Sequence, residues 1–150
     1  DNVDARFWLA TCLYHDCCDY EQAEEVLLEA LKRDPQRADC LSLMASIMRW
    51  TDRPLLKAIE CVKQAVKYAP DWLILRIQLV ELLLEANHIK EAETEVKKTI
   101  ECLPREPKPI RNEVERYYET IITGRAWLNG KEKIDELFEK VENIKKLRTK

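Results

Sequence analysis

The sequence has 150 residues with a formal net charge of −3, and it contains two glycines, two serines and two histidines. Phosphate-binding loops need clustered glycines, β-sandwiches and barrels need frequent turn residues, and a serine–histidine–acid triad has no local signature here. This composition points away from enzymes and from β-rich folds.

Charge and cysteine usage narrow the class further. Residues 1–104 carry a net charge of −6 and residues 105–150 a net charge of +3, and an acidic main body is not expected to bind nucleic acid. No apolar run approaches the length of a membrane span. Six cysteines are too few for a disulfide scaffold, which favours a reducing compartment, the cytoplasm or the nucleus. Because the chain starts at Asp1 without a leader pattern, we expect an excised or processed segment of a larger protein.

Prolines divide the first two thirds of the chain at regular intervals. Pro35, Pro70 and Pro104 are separated by 35 and 34 residues, and each follows a segment with helical periodicity. Proline cannot continue a helix, and it pushes the preceding residue out of helical geometry. The spacing predicts three repeats, each ending near a proline.

Each repeat contains two helix-like segments. In the second segment, four columns step by 35 and then 34 residues: Tyr20, Leu55 and Ile89; Ala23, Ala58 and Ala92; Leu27, Val62 and Val96; Ala30, Ala65 and Thr99. In the first segment, three columns step by 34 and then 35: Ala10, Met44 and Leu79; Thr11, Ala45 and Val80; Tyr14, Met48 and Leu83. The reversed order predicts a one-residue insertion between Trp50 and Leu55, in a turn longer than its equivalents.

These repeats resemble the tetratricopeptide repeat, a family of helix–turn–helix units with spaced Trp, Leu-Gly, Tyr, Ala, Phe and Pro. The resemblance covers roughly residues 4–104, although the Trp is replaced in each repeat and the Gly is replaced by Thr11, Ala45 and Val80. It implies an all-α, right-handed α-solenoid of antiparallel helical hairpins. We expect one domain over residues 1–150, with repeats at 4–37, 38–71 and 72–105.

The sequence pattern of residues 106–150 predicts a capping helix pair or a degenerate fourth repeat. The first helix is expected over about residues 110–128 and the second from Ile134 to Ile144, joined by a turn at Asn129-Gly130. An end repeat otherwise exposes an apolar face, so capping is the expected role, with a swinging lid or a dimer arm as the alternative. The basic tail at 145–150 is interpreted as a solvated helix end rather than an RNA or membrane site.

The resemblance also implies a binding groove lined by the first helix of each repeat. Eleven residues are predicted to line it: Trp8, Leu9, Cys12, Leu43, Trp50, Ile74, Ile77, Gln78, Glu81, Leu84 and Glu85. One subgroup of the family clamps the C-terminal carboxylate of heat-shock chaperones with Lys, Asn and Arg. Of the matching positions (Trp8, Cys12, Leu43, Ile74 and Gln78), none carries a cation and only Gln78 carries an amide, so that chaperone tail is not an expected partner.

The predicted groove is apolar, with acidic residues at Asp16, Glu81 and Glu85. Its aromatic and aliphatic residues suit an apolar peptide or helix with basic flanks. Alternatively, several of them pack against neighbouring helices or against a repeat beyond the N-terminus.

One cluster has metal-ligand chemistry: Cys12, His15, Cys17 and Cys18. Zinc favours such ligands, but the paired C-x-x-C spacing is missing and the repeat register explains the segment without a metal. No metal and no cofactor are therefore predicted.

Together these patterns predict a non-catalytic protein-interaction scaffold or adaptor that is part of a larger protein or a multisubunit complex. A preformed groove binds its partner with little loss of ordering entropy. Two alternatives stay open, an RNA-binding helical-repeat module and an accessory docking domain of an enzyme complex.

Overall fold

The computed structural model describes residues 2–102 and 126–149, with side chains at 2–101 and 132–149. These ranges contain no strand and seven helices: α1 (Val3–His15), α2 (Tyr20–Arg33), α3 (Ala38–Trp50), α4 (Leu55–Tyr68), α5 (Leu73–Glu85), α6 (Ile89–Cys102) and α7 (Ala126–Arg148). The all-α prediction is confirmed, and the second helix of each repeat begins at the predicted residue.

The chain divides into two compact units. The N-terminal unit, Asp1–Pro70, contains the hairpins α1–α2 and α3–α4, and the C-terminal unit, Asp71–Lys150, contains the hairpin α5–α6 and helix α7. In the N-terminal unit, α3 packs against both helices of the preceding hairpin. In the C-terminal unit, α7 packs against both α5 and α6.

The repeated columns of the sequence form the cores of these units. Ala23, Ala58 and Ala92 are completely buried, because a small side chain lets paired helices approach closely. Polar residues in the columns find partners within their own helix: the Thr11 hydroxyl donates to the Phe7 carbonyl at 2.8 Å. In the same way, the Thr99 hydroxyl donates to the Glu95 carbonyl at 2.7 Å, so each buried hydroxyl is satisfied without another helix.

The three hairpin turns share one left-handed residue. Cys18, Asp52 and Asn87 have φ values of 53°, 56° and 63°. In two of these turns, the residue after the left-handed one donates its backbone N–H to a carbonyl of the preceding helix. Arg53 donates to the Met48 carbonyl at 3.2 Å, and His88 donates to the Leu83 carbonyl at 2.8 Å. Only one residue separates Cys18 or Asn87 from the next helix, whereas two follow Asp52. The predicted insertion therefore lies after Asp52. The connection between α3 and α4 (51–54) is nevertheless no longer than the one between α1 and α2 (16–19), since both have four residues. The reason is that α3 ends one residue later in the repeat than α1 does.

Two arginines tie the elements of the N-terminal unit together. Arg37, just before α3, donates from Nε and Nη2 to the buried Asp39 carboxylate at 2.9 and 2.6 Å, and from Nη1 to Asp4 of α1 at 2.7 Å. Arg53, which lies in the insertion, forms a bidentate ion pair with Glu24 of α2. The insertion thus supplies a contact between the second repeat and the first.

The structure corrects the expectation for the C-terminal section. Helix α7 runs without interruption from Ala126 to Arg148, so the predicted turn at Asn129-Gly130 is wrong. Glycine costs a helix about 1 kcal/mol relative to alanine. Burial of Ile134, Leu137 and Val141 along the same helix exceeds that cost. The rest of the helix predicted over 110–128 lies outside the described residues.

Candidate partner-binding face

In the N-terminal unit, four of the predicted groove residues reach the surface. Leu9 on α1 is 52% exposed and Trp50 at the end of α3 is 63% exposed. Cys12 is exposed and Trp8 is half-buried. We call Trp8, Leu9, Cys12 and Trp50 the α1–α3 face.

The indole of Trp50 has a defined place beside α1. Its side chain hydrogen-bonds with the Tyr14 hydroxyl, which Ser46 of α3 also contacts. Partial burial raises the pKa of Tyr14, so this hydroxyl stays protonated at neutral pH. Tyr14 belonged to the helix-packing columns of the sequence, and nothing in the spacing indicated that it orients a surface tryptophan.

Three predicted groove residues lie in the core instead. Leu43, Ile74 and Ile77 are 5%, 7% and 3% exposed, so none of them presents a surface to a ligand. The burial of these three residues agrees with the alternative interpretation, that some of the predicted groove residues pack against neighbouring helices. Asp39 on the same helix as Leu43 is also buried, in its ion pair with Arg37.

The remaining predicted residues lie on α5 in the C-terminal unit. Gln78, Glu81 and Leu84 are partly exposed and Glu85 is exposed. The carboxylate of Glu81 forms an ion pair with Lys133 of α7, with an N–O distance of 3.5 Å. The sequence analysis predicted that a basic residue of a partner faces Glu81. The structure instead has Lys133 of the same chain at this position, a residue that was not among the predicted site residues.

The end of α7 is largely exposed, as expected for a solvated helix end, and two of its basic side chains contact the α5–α6 hairpin. Lys145 donates to Glu93 of α6 at 2.7 Å, and Arg148 donates to the Asn87 side chain in the hairpin turn at 2.5 Å. Lys145, together with Lys97, lowers the pKa of Glu93 to about 2.

The cysteine cluster has no metal-binding geometry. Cys12, Cys17 and Cys18 are exposed free thiols, Cys40 is buried and Cys61 is half-buried. Burial raises the pKa of both Cys40 and Cys61, so these two thiols stay protonated. Within the described ranges, no three His, Cys, Asp or Glu residues are placed to hold a metal ion.

Among the helices within residues 2–102 and 126–149, none is both long enough and apolar enough to cross a bilayer.

Comparisons with known proteins bear on the fold. Residues 1–47 match the model of the tetratricopeptide repeat family. A search of the curated proteins by sequence found no match. The translocator chaperone SycD of Yersinia enterocolitica type III secretion is similar in structure, with a TM-score of 0.70 and 14% identity over 96% of this chain and 86% of SycD.

Two solved complexes show the same fold. SycD bound to a peptide of the translocator YopD has a TM-score of 0.69 and 15% identity over 95% of this chain and 93% of SycD. The TPR2B domain of yeast Sti1, in a complex with an Hsp70 peptide, has a TM-score of 0.66 and 15% identity over 94% of this chain and 96% of that one. The resemblance expected from the sequence is therefore confirmed: the N-terminal residues match the tetratricopeptide repeat, and the chain has the all-α helical-repeat fold of tetratricopeptide-repeat domains.

Proposed function

We propose that this chain is a non-catalytic protein-interaction module, a scaffold or adaptor that binds an apolar segment of a partner protein on the α1–α3 face. The observation that carries the proposal is the exposure of Leu9 and Trp50, at 52% and 63%, in the N-terminal unit. Contiguous exposed apolar patches mark protein-interaction sites, and these two residues are proposed to belong to one.

The geometry of Trp50 suits an anchor. Aromatic side chains supply large contact areas, and Trp is among the residues that dominate binding energies at interfaces. The indole lies beside the Tyr14 hydroxyl of α1 and remains largely exposed, so a partner segment can pack against it.

The similar structures support a protein segment as the ligand. In one of them SycD binds a peptide of YopD, and in another the TPR2B domain of Sti1 is in a complex with an Hsp70 peptide. We still do not expect the chaperone-tail clamp, because two of its matching positions here, Leu43 and Ile74, are apolar and buried.

The partner segment is proposed to carry a basic flank that binds an acidic residue of the N-terminal unit. Asp16 is exposed beside the α1–α3 face, at the C-cap of α1. Glu81, in contrast, is already paired with Lys133. We therefore assign the basic flank to Asp16 rather than to Glu81.

No observation favours the alternatives of an RNA-binding module or an enzyme accessory domain. Two of the basic residues of the tail, Lys145 and Arg148, bind Glu93 and Asn87. Cys12, Cys17 and Cys18 are exposed free thiols, which supports the proposed reducing compartment, cytoplasm or nucleus.

The test uses two exposed leucines of the same unit. Leu9→Asp and Trp50→Asp place a charge on the α1–α3 face, whereas Leu56→Asp places one on α4, where Leu56 is 58% exposed. Affinity capture from cells with quantitative mass spectrometry should show partners that wild type and Leu56→Asp retain and the other two variants lose. Leu43→Asp is unsuitable because it buries a charge. Equal capture by all four proteins contradicts the proposal.

A further inference from the structure

Two exposed thiols lie close together where α1 ends. Cys12 is in the last turn of α1, which ends at His15, and Cys17 follows just beyond it; both are exposed free thiols. The backbone N–H of Cys17 donates to the Cys12 carbonyl at 3.3 Å. With standard backbone dimensions, a bond of this length limits the distance between the two Cα atoms to about 7 Å. That limit is the upper end of the range that a disulfide spans.

The backbone at this helix end is held weakly enough to close the remaining gap. The Cys12 carbonyl accepts two hydrogen bonds, from the Asp16 N–H at 2.9 Å and from the Cys17 N–H at 3.3 Å. Cys17 lies outside the helix and donates the longer of these two bonds. Helix ends open locally at a small cost in free energy, so Cys17 can approach Cys12 while α1 stays folded.

The other described cysteines are placed less favourably for a bridge to Cys12. The side chain of Cys18 hydrogen-bonds with Tyr20, and its backbone has the left-handed φ of 53° that forms the hairpin turn. Cys40 is buried. The pair that the geometry favours is therefore Cys12 with Cys17.

Resting on the proposed function of the α1–α3 face, we propose that Cys12 and Cys17 are a site of reversible oxidation by a peroxide, and that their disulfide rearranges this face. Cys12 belongs to the face, and Tyr14, which hydrogen-bonds with Trp50, lies between the two cysteines in the sequence. Closing the bridge moves the backbone that carries Tyr14 and so displaces the indole. In a reducing compartment, disulfides are typically transient and redox-sensing.

The reaction consumes one hydrogen peroxide for each disulfide. The deprotonated sulfur of one cysteine attacks a peroxide oxygen, the O–O bond breaks, and the hydroxide that leaves takes up a proton to become water. The sulfur of the second cysteine then attacks the sulfenic acid, the S–O bond breaks, and a second water leaves. The two thiols lose two protons and two electrons in total, and the peroxide gains them. A thiol reductant such as glutathione reverses the bridge by thiol–disulfide exchange.

Thiol alkylation of the purified full chain measures the bridge directly. After treatment with hydrogen peroxide, the chain is denatured, alkylated with N-ethylmaleimide and weighed by mass spectrometry. We expect two fewer alkylated thiols than in the reduced chain, and full alkylation after dithiothreitol. The matched variant Cys18→Ser should show the same loss and Cys17→Ser should show none. Chymotryptic cleavage after Tyr14 should leave two peptides joined by the bridge.

The indole N–H resonance of Trp50 reports the effect on the α1–α3 face. In an isotope-labelled chain, this resonance is assigned by its loss in Trp50→Phe. It should shift when the wild-type chain is oxidised and return with dithiothreitol. It should shift in the same way in Cys18→Ser and stay unchanged in Cys17→Ser.

Three results overturn the proposal. The first is full alkylation after peroxide treatment. The second is a disulfide that Cys18→Ser removes or that joins two chains. The third is a bridge between Cys12 and Cys17 that leaves the Trp50 resonance where it was. Neither readout uses a partner protein, so these failures are distinguishable from a failure of the proposed function, which the capture experiment with Leu9→Asp tests.

Discussion

In each of the two compact units, one helix packs against both helices of a hairpin, but it is connected to that hairpin differently. Each contains a helical hairpin and a helix that packs across both of its members, but α3 follows its hairpin directly and α7 follows only after residues 103–125. The ion pairs differ as well. In the N-terminal unit Arg37 binds the buried Asp39, whereas in the C-terminal unit Lys145 binds Glu93 where the lysine side chain is 41% exposed.

This difference predicts different responses to solution conditions. The carboxylate of Asp39 is buried, so its pair with Arg37 is largely shielded from solvent. The pair of Lys145 with Glu93 is partly exposed, so it is more sensitive to salt and pH, because solvent screens such pairs.

The largest expected effect tests the apolar core of the N-terminal unit. Leu27→Ala should lower the free energy of unfolding by about 3 kcal/mol, because it leaves a cavity at a completely buried site. Its neighbour Leu28 is 47% exposed, and Leu28→Ala should change the same quantity by less than about 0.5 kcal/mol. Urea denaturation of both variants measures the difference, and equal losses would mean that α2 does not bury Leu27 in the core.

The next effect concerns the buried ion pair. Arg37→Ala should destabilise the chain by about 2 kcal/mol, because it leaves the carboxylate of Asp39 in the core without its cation. Lys32→Ala removes an ion pair with Glu29 on the exposed surface of α2 and should have no measurable effect. Chemical denaturation at low and high salt separates the two, and a stable Arg37→Ala variant would contradict the role of Asp39.

A smaller effect, of opposite sign, is expected at the first hairpin turn. Cys18→Gly should raise the free energy of unfolding by about 1 kcal/mol, because Cys18 has a left-handed φ of 53° that glycine adopts without steric cost. Cys17→Gly, at a position without a positive φ, should lower stability. Thermal unfolding of the two variants and the wild type tests this prediction. A midpoint for Cys18→Gly below that of the wild type would contradict it.

The smallest effect concerns the exposed ion pair of the C-terminal unit. The pKa of Glu93 is lowered from its ordinary 4.5 to about 2, so its stabilising contribution is complete above pH 4.5 and disappears as the pH falls toward 2. Glu93→Gln should therefore be less stable than wild type at pH 7 and equally stable near pH 2. Denaturation curves of both proteins across this range check the sign, and a pH-independent difference would contradict it.

The fold was largely predictable because it depends on local patterns. The repeated columns predict that α2, α4 and α6 begin at Tyr20, Leu55 and Ile89, where the structure has them. This works because the position of a helix end depends on residues that are close together in the sequence. The turn predicted at Asn129-Gly130 failed because two turn-forming residues are weak evidence against the burial of a long amphipathic helix.

The candidate site was less predictable for a physical reason. Register assigns a residue to a helix face, but burial depends on what packs against that face. Leu9 and Leu43 occupy equivalent groove positions by register, yet one is exposed and the other buried. The pairing of Glu81 with Lys133 spans 52 residues, and no periodicity within a repeat indicates a contact at that separation.

The central claim is that the α1–α3 face contacts a partner protein, and photo-crosslinking tests it most directly. A benzophenone-bearing amino acid replaces Leu9 in one full-length protein and Leu56, which is similarly exposed on α4, in the other. After irradiation in cells, position 9 is predicted to give a discrete crosslink to an apolar segment of a partner, mapped by mass spectrometry, and position 56 to give none. Crosslinks from position 56 alone, or equal crosslinks from both positions, would contradict the account.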